Sequence, residues 1–446
     1  MLFIVLLIGV LLVVIAATKF KLHPFLSLIL GTFFVGMSSG MPLMKIVENV
    51  NTGFGDLMGG IGLVIVFGTI IGTILEKSGA ALRMAEVVLR VVGPKRPQLA
   101  MSLIGYIVSI PVFCDSGFVI LSSLRKALAN RAKVAVASMS VALATGLYAT
   151  HTLVPPTPGP IAAAGNIGAG SFLGTVILIG LITAIPATIA GYFWATKVAN
   201  KIEVEDDGEE INYEDIVKSF GKMPSTFLSF LPIVLPIVLI GIGSIVTYLG
   251  VKGGLASFFL FLGSPLVALL AGVIAAFALL PKYNEETMTK WVGEALLDAA
   301  PILLITGAGG AFGGVIKNTG IADMIQSWSL GDVFSGALFL IVPFLIAAAL
   351  KTAQGSSTAA LVITSSLIAP MLPGLEIEGA VPLALVVMAV GAGAMTVSHV
   401  NDSFFWVVTE FTGMKVTDAY KAQTMATLLQ GFVTIVFAMI LWVVLV

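Results

Sequence analysis

The sequence has little charge and few residues that bind metals or form cross-links. Only 11% of its 446 residues are charged and 58% are hydrophobic, against roughly 25% charged residues in an average soluble domain. No water-soluble surface can be built from that composition.

Cys114 is the single cysteine, which excludes an internal disulfide and a multi-cysteine metal site. No GxxxxGK[ST] phosphate loop is present, which argues against an ATP-driven process, and a net charge of −1 gives no sign of a nucleic-acid partner.

Long apolar stretches make up most of the sequence. Several are near or above the roughly 18 residues that span a bilayer: 2–18, 24–41, 57–75, 172–195, 227–249, 255–280 and 428–446. Continuous helix satisfies every backbone group in a bilayer. The first stretch lacks the basic start and the cleavage site of a secretory signal, so we expect it to be retained as a span. The sequence therefore predicts an all-α polytopic membrane protein with no cofactor.

The 23 lysines and arginines collect mostly in alternate loops, which indicates the cytoplasmic side. This asymmetry predicts that both termini lie outside. Basic groups flank both ends of segment 98–124, so this segment must enter and leave on the cytoplasmic side. We interpret it as a re-entrant hairpin with its turn near 114–117. Segment 334–372 likewise predicts a hairpin entered from outside, with its turn near 354–358.

Internal matches indicate a duplication. GTILEKSGAA at 72–81 resembles GGVIKNTGIA at 313–322, Ser122-Ser123-Leu124 recurs as Ser365-Ser366-Leu367, and Thr150-His151 recurs as Ser398-His399. The predicted units are a first repeat at 1–197, an acidic cytoplasmic linker at 198–224 and a second, inverted repeat at 225–446. Inverted repeats with interrupted helices are typical of alternating-access transporters, whose substrate site lies near the membrane midplane.

Both repeats contain a predicted helix break beside a histidine, near 151–160 and 399–403. His151 precedes a proline-rich run that cannot continue a helix, and His399 precedes a polar run. Such breaks are tolerated only where they line a cavity or are buried in protein. Free amides at the following helix starts would attract a carboxylate. Each histidine could instead cap its own helix.

Three other ionisable residues lie inside apolar stretches. Asp115 and Asp402 are predicted at a hairpin tip and beyond a broken helix, where desolvation favours the protonated acid and suits a proton carrier. The alternative is a permanently charged acid that caps a helix. Lys351 is too far from either loop to reach water by extending its side chain, so we expect it to face a substrate or an internal acid.

The candidate site combines these residues with the polar groups of the two hairpin tips. The candidate substrate-binding residues are Asp115, Ser116, Gly117, His151, Thr152, Lys351, Gln354, Gly355, Ser356, Ser357, Thr358, His399, Asn401 and Asp402. The candidates for carrying a coupling proton are Asp115, Asp402, His151 and His399. No metal ligands are assigned.

The motifs GTIIGTILEKSGAA, PVFCDSGFVIL, THTLVPPTPGP, TGAGGAFGGVIKNTG, LKTAQGSSTAALV and SHVNDSFFW resemble the gluconate:proton symporter family of the ion transporter superfamily, over almost the whole chain. The resemblance implies uptake of gluconate or a related hydroxy-acid anion with a proton, across a bacterial inner membrane. It also implies an elevator-type homodimer with scaffold and transport regions. The two hairpins and the two broken helices would meet to form the substrate site.

Three positions depart from the gluconate-type pattern. Thr157, Asp115 and Lys351 stand where such members typically have histidine, glutamate and arginine. A lysine is a point charge without the planar fork of arginine, so a carboxylate clamp would be reshaped. The cargo could therefore be D-serine, glycerate or another small carboxylate, and the coupling ion could be sodium.

Overall fold

The structure, a computed structural model, describes residues 2–93, 95–204, 223–250, 253–319 and 336–446. Within these ranges the chain forms helices and turns and contains no strand. The helices are α1 (Leu2–Thr18), α2 (Pro24–Ser38), α3 (Leu43–Leu57), α4 (Leu63–Lys77), α5 (Ala80–Val92), α6 (Pro97–Val108), α7 (Cys114–Ala132), α8 (Val136–Leu153), α9 (Pro158–Ile167), α10 (Leu173–Lys197), α11 (Thr226–Tyr248), α12 (Gly254–Gly263), α13 (Pro265–Phe277), α14 (Trp291–Lys317), α15 (Ile341–Gln354), α16 (Ser357–Ile368), α17 (Ala380–Met395), α18 (Ser403–Thr412), α19 (Val416–Ala419) and α20 (Met425–Leu445). In the described ranges, the π-helical turns Met58–Gly62 and Tyr420–Thr424 join neighbouring helices, and a third, Glu286–Lys290, leads into α14.

Six helical stretches in the described ranges are long and apolar enough to cross a membrane: Leu43–Lys77, Gly170–Lys201, Thr226–Thr247, Glu286–Lys317, Gly336–Gln354 and Val416–Leu445. They confirm the prediction of an all-helical membrane protein. The stretch 255–280 was predicted as one span, and in the structure it contains a sharp bend. Helices α12 and α13 meet there at 64°, because Ser264 is extended and Pro265 has no amide to continue the helix.

The first predicted hairpin consists of α6 and α7, which we call hairpin 1. Its turn lies at residues 109–113, a few residues before the predicted position. Cys114 to Gly117 form the first turn of α7 instead. Pro111 prevents α6 from continuing, and Asp115 lies in the first turn of α7, where an acid is favoured by the helix dipole. The turn packs closely on α4, where a side chain at Gly72 would collide with the Pro111 carbonyl.

The first broken helix consists of α8 and α9 and is interrupted at residues 154–157. The prolines predicted to end the helix lie in this gap, and the peptide bond between Pro155 and Pro156 is cis. The Thr157 hydroxyl donates to the carbonyls of His151 at 3.0 Å and Val154 at 2.7 Å. A side chain thus satisfies carbonyls that the break has freed.

Helices α15 and α16 form hairpin 2, and α17 and α18 form the second broken helix, with its gap at residues 396–402. Two threonines of the last membrane helix region hold this gap. Thr427 accepts from the Ser398 amide at 3.0 Å, and Thr424 donates to the Ser398 carbonyl at 2.6 Å. The gap therefore has a defined structure around the buried Ser398.

Each hairpin packs against the second half of the other broken helix. Phe118 on α7 meets Phe404 on α18 edge to face, with ring centroids 6.2 Å apart. On the other side, the Asn166 amide of α9 donates to the Val362 carbonyl at 3.1 Å and the Ser365 hydroxyl at 2.8 Å, both on α16. These contacts bring the four interrupted elements together in the core.

The glycine-rich segment 307–314 of α14 packs closely against α3. The backbones of α14 and α3 approach so closely that a side chain at Gly53 or Gly310 would meet the backbone carbonyl of the other. Small residues permit such contact between membrane helices.

The order of hairpin, broken helix and long helix occurs twice in the described ranges. The inverted relation of the two units and the side of the membrane on which each terminus lies remain predictions. Most of the acidic linker, the end of the 313–322 match and the first two residues of segment 334–372 lie outside the described residues.

Candidate functional site

The site lies where the two hairpins and the two helix breaks meet. Its central feature is a buried ion pair: Lys351 Nζ lies 2.6 Å from Asp402 Oδ2, and the two side chains are 0% and 5% exposed. Lys351 is on α15 near the tip of hairpin 2, and Asp402 is the last residue of the second gap. Of the two partners expected for Lys351, a substrate or an internal acid, the acid is present.

Both members of this ion pair have further hydrogen-bond partners. Lys351 also donates to the Gly355 carbonyl at 2.5 Å and lies 5.7 Å from the ring centroid of Tyr148. Asp402 accepts from the Ser398 hydroxyl at 2.5 Å and from the Phe404 amide at 3.2 Å. Asp402 therefore caps α18 as well as neutralising the lysine, and a buried charge is stable only when it is paired and hydrogen-bonded in this way.

Tyr148 was not among the predicted site residues. It is buried on α8, stacks on Phe404 at 5.1 Å between ring centroids, and its hydroxyl lies 3.5 Å from the Ala394 carbonyl. It thus connects the first broken helix to both halves of the second. Its place one turn before His151 on the same helix was the signal available in the sequence.

Asp115 lies partly buried in the first turn of α7. The Cys114 thiol donates to its carboxylate at 3.5 Å, and the carboxylate interacts with the Ser403 hydroxyl and feels the charge of Asp402. Ser116 faces away toward α4, where it interacts with Glu76. Gly117 is buried with no room for a side chain, because a Cβ there would press on Leu147.

His151 is 4% exposed and lies beside the turn of hairpin 1, with its ring centroid 5.8 Å from that of Phe113. Its Nδ1 atom has no hydrogen-bond partner, and its ring feels the charges of Lys351 and Asp402. The neighbouring Thr152 hydroxyl donates to its own helix, to the Tyr148 carbonyl at 3.0 Å. His151 is therefore available to the site, and Thr152 is not.

His399 and Asn401 hold the second gap against hairpin 2. The His399 Nε2 atom lies 2.7 Å from the Thr352 carbonyl, and the Asn401 amide donates to the same carbonyl at 2.8 Å. A side chain at Gly355 would strike the Asn401 carbonyl. Both predicted residues thus connect two elements of the site, and the structure does not bring His399 together with His151.

The tip of hairpin 2 supplies the remaining predicted residues. Ser356 caps α16 and accepts from the Ala359 amide at 3.2 Å, and Ser357 interacts with Tyr148. Thr358 packs against Gly159 at the start of α9. The Gln354 Nε2 atom is buried without a hydrogen-bond partner, which leaves it free to contact a ligand.

Arg125 is a second buried cation that the sequence did not single out. It is 1% exposed, lies on α7 with its Cζ 5.2 Å from the Phe118 ring centroid, and donates to Thr412 Oγ1 at 3.0 Å and the Phe411 carbonyl at 2.6 Å. It also donates to Ser140. Arg125 therefore joins hairpin 1 to α8 and to the end of α18. Because the predicted hairpin segment ended at residue 124, Arg125 and Lys126 were expected in the basic loop that follows it.

In the part of the chain that the structure describes, no three His, Cys, Asp or Glu residues converge to hold a metal ion. The charged groups in the site are two carboxylates and one ammonium, at the ends of interrupted helices inside apolar segments. Such a site suits binding and release of a small charged molecule at membrane depth.

Comparison with known proteins agrees with this architecture. The model of the GntP family of permeases matches residues 1–444. The chain belongs to the GntP permease family. Its relatives include a gluconate permease of Pseudomonas aeruginosa, 31% identical over 97% of this chain and 95% of the relative, and the D-serine transporter DsdX of Escherichia coli O6:H1, 30% identical over 96% of each. Among solved structures, the YdaH transporter of Alcanivorax borkumensis has a similar fold, with a TM-score of 0.65, 13% identity and coverage of 90% of this chain and 88% of that one.

The GntP permease relationship confirms the family resemblance that the motifs indicated, and it makes this protein a multi-pass transporter of a bacterial membrane and not an enzyme. The structural similarity supports the transporter fold. The finer assignments of cargo and coupling follow as proposals.

Proposed function

We propose that the protein is a proton-coupled symporter that imports a small sugar acid or hydroxy-acid anion, gluconate or a relative, by alternating access. The buried Lys351–Asp402 pair carries this proposal, because it places compensated charge where both hairpins and both helix breaks meet. Ionisable residues inside a membrane protein are expensive and are retained for function.

Helix starts around the pair supply groups that recognise an anion. Helices α7, α9, α16 and α18 all begin at this site. The N-cap residue of α7 makes no side-chain cap, and in the first three residues of α9 only Gly159, between Pro158 and Pro160, has a backbone amide. Uncapped amides and the positive end of the helix dipole bind carboxylates. Gln354, Ser357, Thr358 and the gap residues His399 and Asn401 would add hydrogen bonds to hydroxyls. Asp115, Asp402, His151 or His399 would carry the proton.

The proposed mechanism moves a transport unit, made of the hairpins and the broken helices, past a scaffold of long apolar helices. The two inverted repeats would span 1–197 and 225–446, on either side of the linker at 198–224, with both termini outside the cytoplasmic membrane. The protein would act as a homodimer. The repeated order of elements and their crossed packing support this arrangement.

Uptake by the purified protein in proteoliposomes tests the proposed function. We expect radiolabelled gluconate to accumulate when the lumen is alkaline, and unlabelled acids of increasing chain length to compete according to their fit. If no acid of the panel enters or exchanges, the proposed function is wrong. If uptake is unchanged when the proton gradient is collapsed, the proposed proton coupling is wrong, but the proposed cargo still stands.

A second candidate cargo is D-serine. A relative of nearly equal length is the D-serine transporter DsdX, and Asp115 offers a carboxylate to which no cation is paired among the described residues. That carboxylate could receive the ammonium of a zwitterionic amino acid. Exchange of labelled D-serine that gluconate does not inhibit would favour this cargo, and sodium dependence measured at constant pH would favour sodium as the coupling ion.

A further inference from the structure

The charges inside the site do not balance. Asp115 and Asp402 contribute two carboxylates, and Lys351 contributes one ammonium. His151 is buried in an apolar setting that favours its neutral form. With both acids ionised the site carries one excess negative charge, which opposes the entry of an anion.

The two carboxylates differ in how they are held. Asp402 has an ammonium, a hydroxyl and a helix amide as partners, at 2.6, 2.5 and 3.2 Å. Removing its charge would leave Lys351 as an uncompensated buried cation, which is strongly unfavourable. Asp402 is therefore the fixed partner of Lys351.

Asp115 has no such compensation. Among the residues that the structure describes, no lysine, arginine or histidine nitrogen lies within the 4.0 Å of an ion pair from its carboxylate. Its partners are the Cys114 thiol, a weak donor at 3.5 Å, the Ser403 hydroxyl and its own backbone amide, none of which carries a charge. Asp115 is also partly exposed, so a proton can reach it.

The ionisable groups around Asp115 come from several elements. Asp402 in the second gap repels its charge, and Lys351 on α15 attracts it from beyond ion-pair distance. Cys114 and Tyr148 are buried neutral groups that interact with it. Glu76 on α4 adds a further acid beside Ser116, and His151 lies across the turn of hairpin 1.

We propose that Asp115 carries the coupling proton, that Asp402 stays ionised as the fixed partner of Lys351, and that proton binding precedes anion binding. This rests on the proposed function and names the group that couples it. A proton from the entry side converts Asp115 to the neutral acid and removes the excess negative charge, so that one anion can enter. After the site opens to the other side, the anion leaves and the proton follows it. One proton then crosses with each monoanion.

This order predicts how binding depends on pH. If only protonated Asp115 accepts the anion, gluconate affinity is constant at acid pH and falls about tenfold per pH unit once Asp115 is ionised. The Asp115→Asn variant should bind gluconate with an affinity that does not change with pH. Its gluconate-driven proton uptake, measured with a pH-sensitive dye sealed in proteoliposomes, should fall from about one proton per anion to near zero.

Two further variants make the result decisive. Asp418→Asn removes an acid that pairs with Lys421 at 4.0 Å outside the site and should keep the wild-type pH profile. Ser403→Ala keeps the Asp115 carboxylate but removes a hydroxyl that stabilises its charged form, so the pH of half-maximal gluconate binding should move to a more alkaline value. This second measurement applies even if Asp115→Asn does not fold.

The proposal is overturned if Asp115→Asn still moves protons with gluconate, or if Ser403→Ala leaves the pH profile unshifted. Either result would leave the transport function intact, because the wild-type protein would still import gluconate with a proton. Failure of the wild-type protein to transport any acid would instead contradict the proposed function, so the two failures are distinguishable.

Discussion

At the scale of single residues, the site is organised by one ion pair. Lys351 and Asp402 are more than nine-tenths buried, and each has further hydrogen bonds. A pair of this kind adds little net stability over apolar residues, but breaking it by removing one partner costs about 3–5 kcal/mol. Its presence indicates that charge is needed at this point, which fits a transported ion.

Replacing Lys351 by methionine should therefore destabilise the protein by about 3–5 kcal/mol, because Asp402 would remain as a buried charge without a cation. Thermal unfolding in detergent measures this effect. The double variant Lys351→Met with Asp402→Asn should recover part of the loss. Equal melting temperatures for the single and the double variant would contradict this account of the pair.

At the scale of elements, the gap residues and the hairpin tips are fitted to each other by close backbone contact. Gly355 has φ of +82°, and its missing side chain makes room for the Asn401 carbonyl. His399 and Asn401 then share the Thr352 carbonyl. The tip of hairpin 2 and the second gap are thus one structural unit.

The Gly355→Ala substitution should push the tip of hairpin 2 away from the second gap. The left-handed backbone alone costs about 1–3 kcal/mol for a residue with a side chain, and the new methyl group also collides with Asn401. We expect gluconate exchange in proteoliposomes to be largely lost while the protein remains helical by circular dichroism. Gly241→Ala is the matched control, because a Cβ at Gly241 meets no atom within 4 Å. Equal exchange by the two variants would contradict the proposed fit.

Arg125 makes a second connection between elements, from hairpin 1 to the end of α18. Lysine has neither the reach nor the planar fork to contact Ser140, Thr412 and the Phe411 carbonyl together. We expect Arg125→Lys to lower the melting temperature, and Lys126→Arg at the adjacent position to leave it nearly unchanged. A melting temperature unaffected by Arg125→Lys would mean that this connection does not stabilise the fold.

At the scale of the whole molecule, orientation in the membrane follows from the distribution of basic loops. Lys201 is exposed near the start of the predicted linker, and Val446 is exposed at the C-terminus. The prediction places the first inside and the second outside. The native Cys114 is buried, so an added cysteine at either position can be labelled selectively.

An impermeant maleimide should therefore label Val446→Cys in intact cells, and Lys201→Cys only after the membrane is opened. The wild-type protein controls for Cys114 and should stay unlabelled in both cases. The reverse pattern would invert the proposed topology, and with it the side from which each hairpin enters the membrane.

The sequence by itself determined the membrane location, the helical fold and the approximate positions of the two hairpin tips and the two helix breaks, because prolines, glycines and polar residues within apolar runs act locally on the backbone. It placed the first hairpin turn a few residues late and missed the bend at Ser264, since boundaries depend on packing as well as on local preference. Only the tertiary structure paired Lys351 with Asp402, added Tyr148 and Arg125, and showed that no described residue forms an ion pair with Asp115. Those outcomes depend on contacts between residues far apart in the chain, where packing decides which charges meet.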